Sequence, residues 1–304
     1  MLRPPVSASR LFCFGLGYSA GVLAQSLLRE GWRVAGTART PARVAVLAGR
    51  GIEAFVFDRG SPLADAKEAL AGTTHLLSSV PPDPAGDAVL DHHGADIAML
   101  RELAWVGYLS TTGVYGDRRG GLVDEEAAPA PTSERAQRRL LAEAGWQALG
   151  QRHGLPVHIF RLAGIYGPGR SALDAVRAGT ARRVDKPGQL FSRIHVEDIA
   201  AVLAASMRQP RPGAIYNLAD DLPAAGEEVV AYACRLLGVE PPPLVAFEQA
   251  ALSPMAASFY GESRRVQNER IKCELGIELR YPDYRSGLAA ILAAERGKGS
   301  GELV

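Results

Sequence analysis

The fold of this chain is indicated first by a regular alternation of short apolar runs with helix-length amphipathic segments. Each apolar run predicts a β-strand, and each amphipathic segment predicts the helix that follows it. Such an alternation is typical of a parallel sheet covered by helices. The first four predicted strand and helix pairs are Leu11–Phe14 with Gly21–Glu30, Arg33–Thr37 with Pro41–Ala48, Ala54–Phe57 with Leu63–Leu70, and His75–Val80 with Ala88–Leu103.

The alternation continues to about residue 165 and predicts six strands of one open sheet. It adds a strand at Trp105–Ser110, a helix over Ser133–His153 and a strand at Val157–Arg161. Apolar residues in that helix recur at three- and four-residue steps, which predicts one buried face. The residues of this predicted face are Leu140, Leu141, Ala144 and Ala148.

A glycine-rich segment lies between the first predicted strand and the first predicted helix. Gly15, Gly17 and Ala20 have the G-x-G-x-x-A spacing, with Tyr18 and Ser19 between the second glycine and the alanine. In this context the first glycine permits a tight turn, and the second lets a pyrophosphate approach bare backbone. The small third residue keeps the helix close to the strand, so that its N–H groups face the anion. The segment therefore predicts a dinucleotide site at these five residues, although the same spacing also occurs in ordinary glycine-rich turns.

The end of the second predicted strand indicates which dinucleotide is bound. NAD-binding versions of this site usually have an acidic residue there, which binds the ribose 2′-hydroxyl. Here the strand is followed by Arg39, whose planar guanidinium suits a 2′-phosphate. We therefore predict NADP as the cofactor, with NAD as the alternative if Arg39 is only a solvated loop charge. Asp58, after the third strand, is a candidate partner of the adenine amino group or else a helix-entry residue.

Together these features predict an α/β fold, a Rossmann-type doubly wound parallel sheet with a smaller C-terminal substrate-binding cap. We expect the NAD(P)-binding Rossmann domain in residues 1–168 and the cap in residues 169–304. Segments at about 195–220 should rejoin the main sheet. The predicted elements there are a helix at Val196–Met207, a strand at Ala214–Leu218 and a helix at Gly226–Leu237.

Composition limits the range of partners. The chain has 34 Lys and Arg against 33 Asp and Glu, a formal net charge of +1, so no strong field draws it to nucleic acid or to an anionic membrane. It has no run of about twenty apolar residues. The three cysteines, Cys13, Cys234 and Cys273, are too widely spaced for a zinc site, and we predict that they pack in the interior of a cytoplasmic protein without a metal. The predicted partner is a small-molecule substrate, and the predicted assembly is a monomer or a homodimer.

Four segments resemble signatures of the extended short-chain dehydrogenase/reductase superfamily, the relatives of the NAD(P)-dependent epimerases and dehydratases. The resemblance extends over nearly the whole chain and is closest to an atypical branch. The first two segments match the family's fifth-strand and sixth-strand signatures. The four are Leu109–Asp117, Arg161–Arg170, Arg193–Ile199 and Ile215–Ala219.

This resemblance implies several site residues. Thr111 matches the family's substrate-hydroxyl-binding Ser or Thr; alternatively, it only closes the end of its strand. Ser79, Val80 and Pro81 follow the fourth strand, where the family contacts the cofactor, although prolines there also simply stop a strand. For His195, at a helix start, we favour a buried hydrogen-bonding role over catalysis.

The chain departs from the family on the helix after the fifth strand. Members usually have Tyr-x-x-x-Lys there, the tyrosine as acid and base and the lysine on the nicotinamide ribose. By register these positions are Arg135 and Arg139. Arginine keeps its proton at physiological pH, so Arg135 cannot act as the base. Arg139 could still bind the ribose, or both arginines could belong to a solvated stripe. Tyr115 is then the nearest candidate acid, unless it only forms a wall of the pocket.

Two functions of different classes remain open. The first is an oxidoreductase or epimerase-like enzyme that acts on a small, sugar-like substrate, with non-standard catalytic residues. The second is a non-catalytic NADP-binding or redox-sensing protein in which the missing Tyr-x-x-x-Lys marks lost turnover. An open pocket with Tyr115 or another titratable group within about 3 Å of the nicotinamide C4 region would favour the enzyme, and a filled pocket would favour the sensor. Arg264 or Arg265 is a candidate contact for an anionic substrate group, and we expect at least one of them at the surface because adjacent residues rarely face one pocket.

Overall fold

A computed structural model describes residues 9–299 of the chain. Its strands are β1 (Arg10–Phe14), β2 (Arg33–Ala38), β3 (Glu53–Val56), β4 (His75–Ser78), β5 (Trp105–Thr111), β6 (Leu122–Val123), β7 (Val157–Leu162), β8 (Gly164–Tyr166), β9 (Arg183–Asp185), β10 (Arg193–His195), β11 (Ile215–Leu218), β12 (Leu244–Ala246) and β13 (Arg265–Val266). Its helices are α1 (Tyr18–Arg29), α2 (Pro41–Ala48), α3 (Ala66–Leu70), α4 (Ala88–Ala98), α5 (Glu134–His153), α6 (Ala172–Arg177), α7 (Val196–Arg208), α8 (Gly226–Leu237), α9 (Pro254–Tyr260), α10 (Glu269–Leu275) and α11 (Tyr284–Gly299).

Seven strands form one parallel sheet in the order β11-β7-β5-β4-β1-β2-β3. The chain runs from β1 through β2 to β3 on one side, then returns to β4 on the other side of β1. In open α/β sheets the ligand crevice lies where the strand order reverses, which here places it at the carboxyl ends of β1 and β4. The predicted α/β, doubly wound Rossmann-type fold is confirmed. The edge strand β11, at residues 215–218, pairs with β7 and brings the late part of the chain back to the sheet.

The sheet separates two apolar cores because successive side chains of a strand face opposite sides. In β1, Leu11 packs with residues of α1 and α7, whereas Phe12 packs with residues of α4 and α5. A third core joins α6, α8 and α11, with Leu173 and Leu288 almost fully buried. This third core belongs to the C-terminal part of the chain. Short pairings of β8 with β10, β9 with β12 and β6 with β13 connect distant segments.

The predicted element boundaries hold with a few corrections. Helix α4 ends at Ala98 rather than at Leu103. Helix α5 has the predicted length, since Ser133 caps its first turn and Gly154 ends it in the left-handed conformation. Its predicted buried face is wrong, because the side chain of Leu141 is 73% exposed. Ala144 and Ala148 are also exposed, and the buried positions are instead Ala136, Ala142, Glu143, Trp146 and Gly150.

The cysteine prediction is partly wrong: Cys13 and Cys234 are buried, whereas Cys273 is exposed. Within residues 9–299, the structure contains no helix with the length and apolar content that a bilayer crossing needs. The same residues contain no cluster of three or more His, Cys, Asp and Glu side chains arranged to hold a metal ion.

Candidate functional site

The loop after β1 has a tightly held turn at its first glycine. Gly15 has φ +83°, a conformation that favours glycine. Its N–H donates to Thr37 Oγ1 at 2.8 Å, and its carbonyl oxygen accepts from Ser79 Oγ at 2.5 Å. A Cβ at this position would lie 3.0 Å from the same Ser79 oxygen. The loop is therefore fixed against the ends of both β2 and β4.

The first turn of α1 is open to a ligand. Gly17 is the N-cap residue, no side chain caps the helix, and the first turn contains no acidic residue. The first N–H groups of a helix have no partner within the helix, which here applies to Tyr18, Ser19 and Ala20. A Cβ built on Gly17 meets no atom within 4 Å, so the space above the backbone is free. These residues fit the diphosphate of a dinucleotide.

The other predicted cofactor residues surround this crevice. Arg39 is exposed directly after β2. The carboxylate of Asp58 accepts from the N–H of Gly60 at 2.8 Å and closes the turn after β3. Val80 and Pro81 follow β4 beside Ser79, and Val80 is the next nearest contact of a Cβ on Gly15. The arrangement brings these residues to one edge of the sheet; their contacts with a cofactor stay predictions.

A cavity of about 690 Å³ lies between the carboxyl ends of β5 and β7 and the C-terminal part of the chain. From the sheet side it is lined by Ser110, Thr111 and Thr112. From the opposite side it is lined by Phe259 and Tyr260 of α9. In open α/β sheets ligands bind outside the carboxyl ends of the strands, so this cavity is the candidate substrate site.

Arg135 and Arg139 both line this cavity, because residues four apart lie on one face of a helix. Nη1 of Arg139 donates to the carbonyl oxygen of Leu109 on β5 at 2.8 Å. The guanidinium carbon of Arg135 lies 5.0 Å from the ring centroid of Phe259. Arg139 is therefore anchored on the sheet, whereas Arg135 is held against α9. Thr111 lines the same cavity, and its Oγ1 accepts from the N–H of Gly113 at 3.1 Å.

The cavity has a strong excess of positive charge. Glu262 lines it but forms an ion pair with Arg264 at 2.5 Å and accepts from the hydroxyl of Thr132. Arg193 donates to the carbonyl oxygens of Phe191 and Ala224, and burial lowers the pKa of its guanidinium. An anionic ligand would supply the missing negative charge. The arginines that line the cavity are Arg135, Arg139, Arg170, Arg182, Arg193 and Arg264.

Tyr115, the predicted candidate acid, is fully buried behind the cavity. Its hydroxyl donates to Asn217 Oδ1 at 2.7 Å and accepts from Nη1 of Arg161 at 3.1 Å. Burial raises the pKa of the Tyr115 phenol. Tyr115 is not among the residues that line the cavity, so the structure does not bring it together with Thr111.

A buried ion pair behind the cavity was not predicted from the sequence. Glu143 of α5 and Arg161 of β7 meet at 2.7 Å, and their side chains are only 2% and 4% exposed. Ser110 Oγ donates to the Glu143 carboxylate at 2.5 Å. The pair thus ties the end of β5 to α5 and β7. The sequence could have pointed to Glu143, because Arg135, Arg139 and Glu143 are spaced four residues apart and form a charged row on one side of the helix.

Two further predictions can be compared with the geometry. His195 is buried and caps α7, since its Nδ1 accepts from the N–H of Glu197; burial lowers its pKa to about 4. The expected structural role of His195 is confirmed. Arg264 lines the cavity, whereas Arg265 is exposed and donates to the carbonyl oxygen of Gly120. As expected, the two neighbours do not share one pocket.

Comparison with known proteins agrees with the fold and the crevice. Residues 15–219 match the model of the NAD dependent epimerase/dehydratase family. The chain belongs to this family. The predicted resemblance to an atypical member of the extended short-chain dehydrogenases is confirmed. The match spans the phosphate loop, the cavity-lining strands and β11. That Arg135 and Arg139 occupy the family's Tyr-x-x-x-Lys positions stays a prediction from the sequence.

Individual relatives cover nearly the whole chain. Protein YeeZ of Escherichia coli (strain K12) is 29% identical over 277 residues, 88% of this chain and 95% of its own length. A solved structure of a protein of unknown function from Silicibacter pomeroyi DSS is 50% identical, with a TM-score of 0.87 over 94% of this chain and 99% of that one. UDP-glucuronic acid 4-epimerase from Bacillus cereus, solved with UDP-glucuronic acid and NAD, is 15% identical, with a TM-score of 0.74 over 95% of this chain and 99% of that one. At that identity the likeness shows the shared fold.

Proposed function

We propose that this protein is a nicotinamide-dinucleotide-dependent reductase that acts on a small anionic carbonyl compound and prefers NADP(H). One observation carries the proposal: an open cavity at the carboxyl edge of the sheet is lined by arginines, including Arg135 and Arg139 at the family's tyrosine and lysine positions. A cavity filled by side chains would instead favour a sensor without turnover. The free volume of about 690 Å³ supports an enzyme.

The residues of the crevice fit the dinucleotide. The open first turn of α1 would hold its diphosphate, and Arg39 its 2′-phosphate. Ser79, Val80 and Pro81 would border the path toward the nicotinamide, and Arg139 would reach the ribose. When bound, the reduced cofactor supplies a hydride, and its chemistry requires only that the protein orient and shield it.

The two arginines indicate how the carbonyl group would be activated. A guanidinium cannot accept or release a proton near neutral pH, so neither arginine would take the acid-base role of the family's tyrosine. Reduction of a carbonyl also needs donors that stabilise the negative charge developing on its oxygen. Arg135 lines the cavity together with Thr111 and forms no ion pair within residues 9–299, so its N–H donors would meet that need. The proton that completes the alcohol would then come from water.

The charge of the cavity indicates the substrate class. Arg264 alone among the six lining arginines forms an ion pair with a carboxylate within residues 9–299. A substrate with a phosphate or carboxylate group would compensate this charge. The Bacillus cereus relative binds UDP-glucuronic acid, a sugar nucleotide that has both groups, which supports a phosphorylated, sugar-like carbonyl compound here.

The proposal is tested by following NADPH consumption with a panel of carbonyl compounds that have phosphate or carboxylate groups, each beside a neutral analogue. We expect turnover with an anionic member only. Arg135→Ala should lower kcat/KM by about 100-fold or more. Arg138→Ala is the matched control, because Arg138 pairs with Glu134 on the same helix and does not line the cavity. Unchanged kcat/KM in Arg135→Ala, or binding of NADP+ with no turnover across the panel, would contradict the proposal.

A further inference from the structure

A tight turn lies between the cofactor crevice and the substrate cavity. It consists of residues 167–170, Gly-Pro-Gly-Arg, and follows β8. The N–H of Gly167 donates to the carbonyl oxygen of Arg170 at 3.2 Å, and the reverse bond measures 3.0 Å. The next residue, Ser171, forms a capping box with Asp174 at the start of α6. Both ends of the turn are therefore fixed by hydrogen bonds.

Tyr18 attaches this turn to the crevice. It is the first residue of α1, directly after Gly17, and its hydroxyl donates to the carbonyl oxygen of Pro168 at 3.0 Å. The hydroxyl also lies against Gly167, where an added Cβ would come within 2.5 Å of it. A glycine is required there for this contact. Burial raises the pKa of Tyr18 to about 12, so the phenol keeps the proton that forms the bond.

Arg170 extends from the same turn toward the ligand space. Its guanidinium carbon lies 5.8 Å from the ring centroid of Tyr18. It lines the substrate cavity and also a neighbouring cavity of about 410 Å³. The acid closest in the chain, Asp174, accepts from the N–H and hydroxyl of Ser171 at 2.7 and 2.6 Å. Arg170 is exposed at the edge of these cavities, and within residues 9–299 no carboxylate forms an ion pair with it.

We infer that Arg170 binds a phosphate-type oxyanion of the ligand in the substrate cavity, and that Tyr18 is the positioning residue that holds the turn of Arg170 beside an occupied crevice. The inference deepens the proposed function by placing the anion subsite. The same oxyanion chemistry could come from the cofactor diphosphate, because the backbone of Tyr18 borders that site. Because Tyr18 is bonded to the turn through its hydroxyl and borders the diphosphate site through its backbone, we expect the dinucleotide and the oxyanion each to favour binding of the other.

The test titrates inorganic pyrophosphate into the protein saturated with NADP+, so that the crevice is occupied and only the cavity is free. We expect binding in the wild type, weaker by about tenfold or more in Arg170→Ala because charged hydrogen bonds are lost. The matched control is Arg177→Ala on α6, since Arg177 pairs with Glu295 away from both cavities. No binding to the wild type, or equal affinity in Arg170→Ala, would overturn the inference.

Two further measurements identify the source of the anion that Arg170 binds and test the positioning role of Tyr18. If Arg170→Ala weakens NADP+ rather than pyrophosphate, the anion is the cofactor diphosphate and the inference is wrong. Tyr18→Phe keeps the ring under Arg170 but removes the bond to Pro168. It should lower the gain in pyrophosphate affinity that NADP+ produces, while Tyr18→Ala should remove that gain. An unchanged gain in both variants would contradict the positioning role. These binding experiments do not depend on turnover. The anion subsite can therefore be refuted while the reductase proposal holds, and the reductase proposal can be refuted while the anion subsite holds.

Discussion

Removal of the Glu143 carboxylate should destabilise the protein strongly. In Glu143→Ala the guanidinium of Arg161 stays buried but loses its only ion-pair partner within the described residues. It also loses hydrogen bonds from Nε and Nη2 to the carboxylate, at 3.2 and 2.7 Å. The hydroxyl of Ser110 loses its acceptor as well. Of the described residues that form hydrogen bonds with the Arg161 side chain, only Tyr115 would remain. A phenol cannot neutralise the charge of the guanidinium.

The magnitude follows from the burial of the pair. Because both side chains are nearly inaccessible to water, breaking the pair leaves an uncompensated charge, which costs about 3–5 kcal/mol of the free energy of unfolding. For a chain of 304 residues, each kcal/mol lowers Tm by about 1.6 °C. We therefore expect Tm to fall by about 5–8 °C. Glu143→Gln should lose less stability than Glu143→Ala, because the amide oxygen of the glutamine still accepts one hydrogen bond.

Urea unfolding followed by circular dichroism measures the change in the free energy of unfolding, and thermal unfolding followed by the same signal measures the change in Tm. The control is Glu134→Gln, which removes an exposed pair with Arg138 on the same helix; it should change Tm by less than about 2 °C. A loss below about 1 kcal/mol in Glu143→Ala would refute the reasoning, since it would mean that water reaches Arg161 and solvates it.

Three other changes have defined outcomes. Gly17→Val should abolish NADP+ binding in calorimetry, because its side chain occupies the open space above the loop, while the Tm of the ligand-free protein should fall by no more than about 3 °C; retained binding would argue against the crevice. Arg39→Ala should weaken NADP+ about 10- to 100-fold and leave NAD+ unchanged, and an equal loss for both would exclude a 2′-phosphate contact. Burial raises the pKa of Asp220 to about 8, above its unfolded value, so folding takes up a proton and the stability from this group is lost as pH rises from about 4 through 8. Asp220→Asn should therefore gain stability relative to the wild type between pH 5 and pH 9 in urea unfolding, and a constant difference would contradict the raised pKa.

The boundaries of α5 could be predicted, whereas its buried face could not. Ser133 and Gly154 are strong start and stop signals, because they act on the backbone next to them. The buried face depends on neighbours far along the chain. Trp146 is buried and donates to Asp87, and Glu143 is buried because Arg161 meets it from β7. The apolar side chain of Leu141 was a misleading signal, since exposure of a single leucine is ordinary.

The glycine-rich loop, the order of strands and helices, and the absence of tyrosine and lysine at Arg135 and Arg139 could be predicted or seen from the sequence alone. These features depend on residues close together in sequence, where backbone conformation and periodicity act locally. Only the tertiary structure shows that both arginines line one cavity with Thr111. It also shows that Tyr115 is buried and bonded to Asn217, and that Tyr18 forms a hydrogen bond with Pro168, 150 positions away in the chain. Such contacts arise from the packing of strands and helices distant in sequence, and no local pattern encodes which side chains will meet.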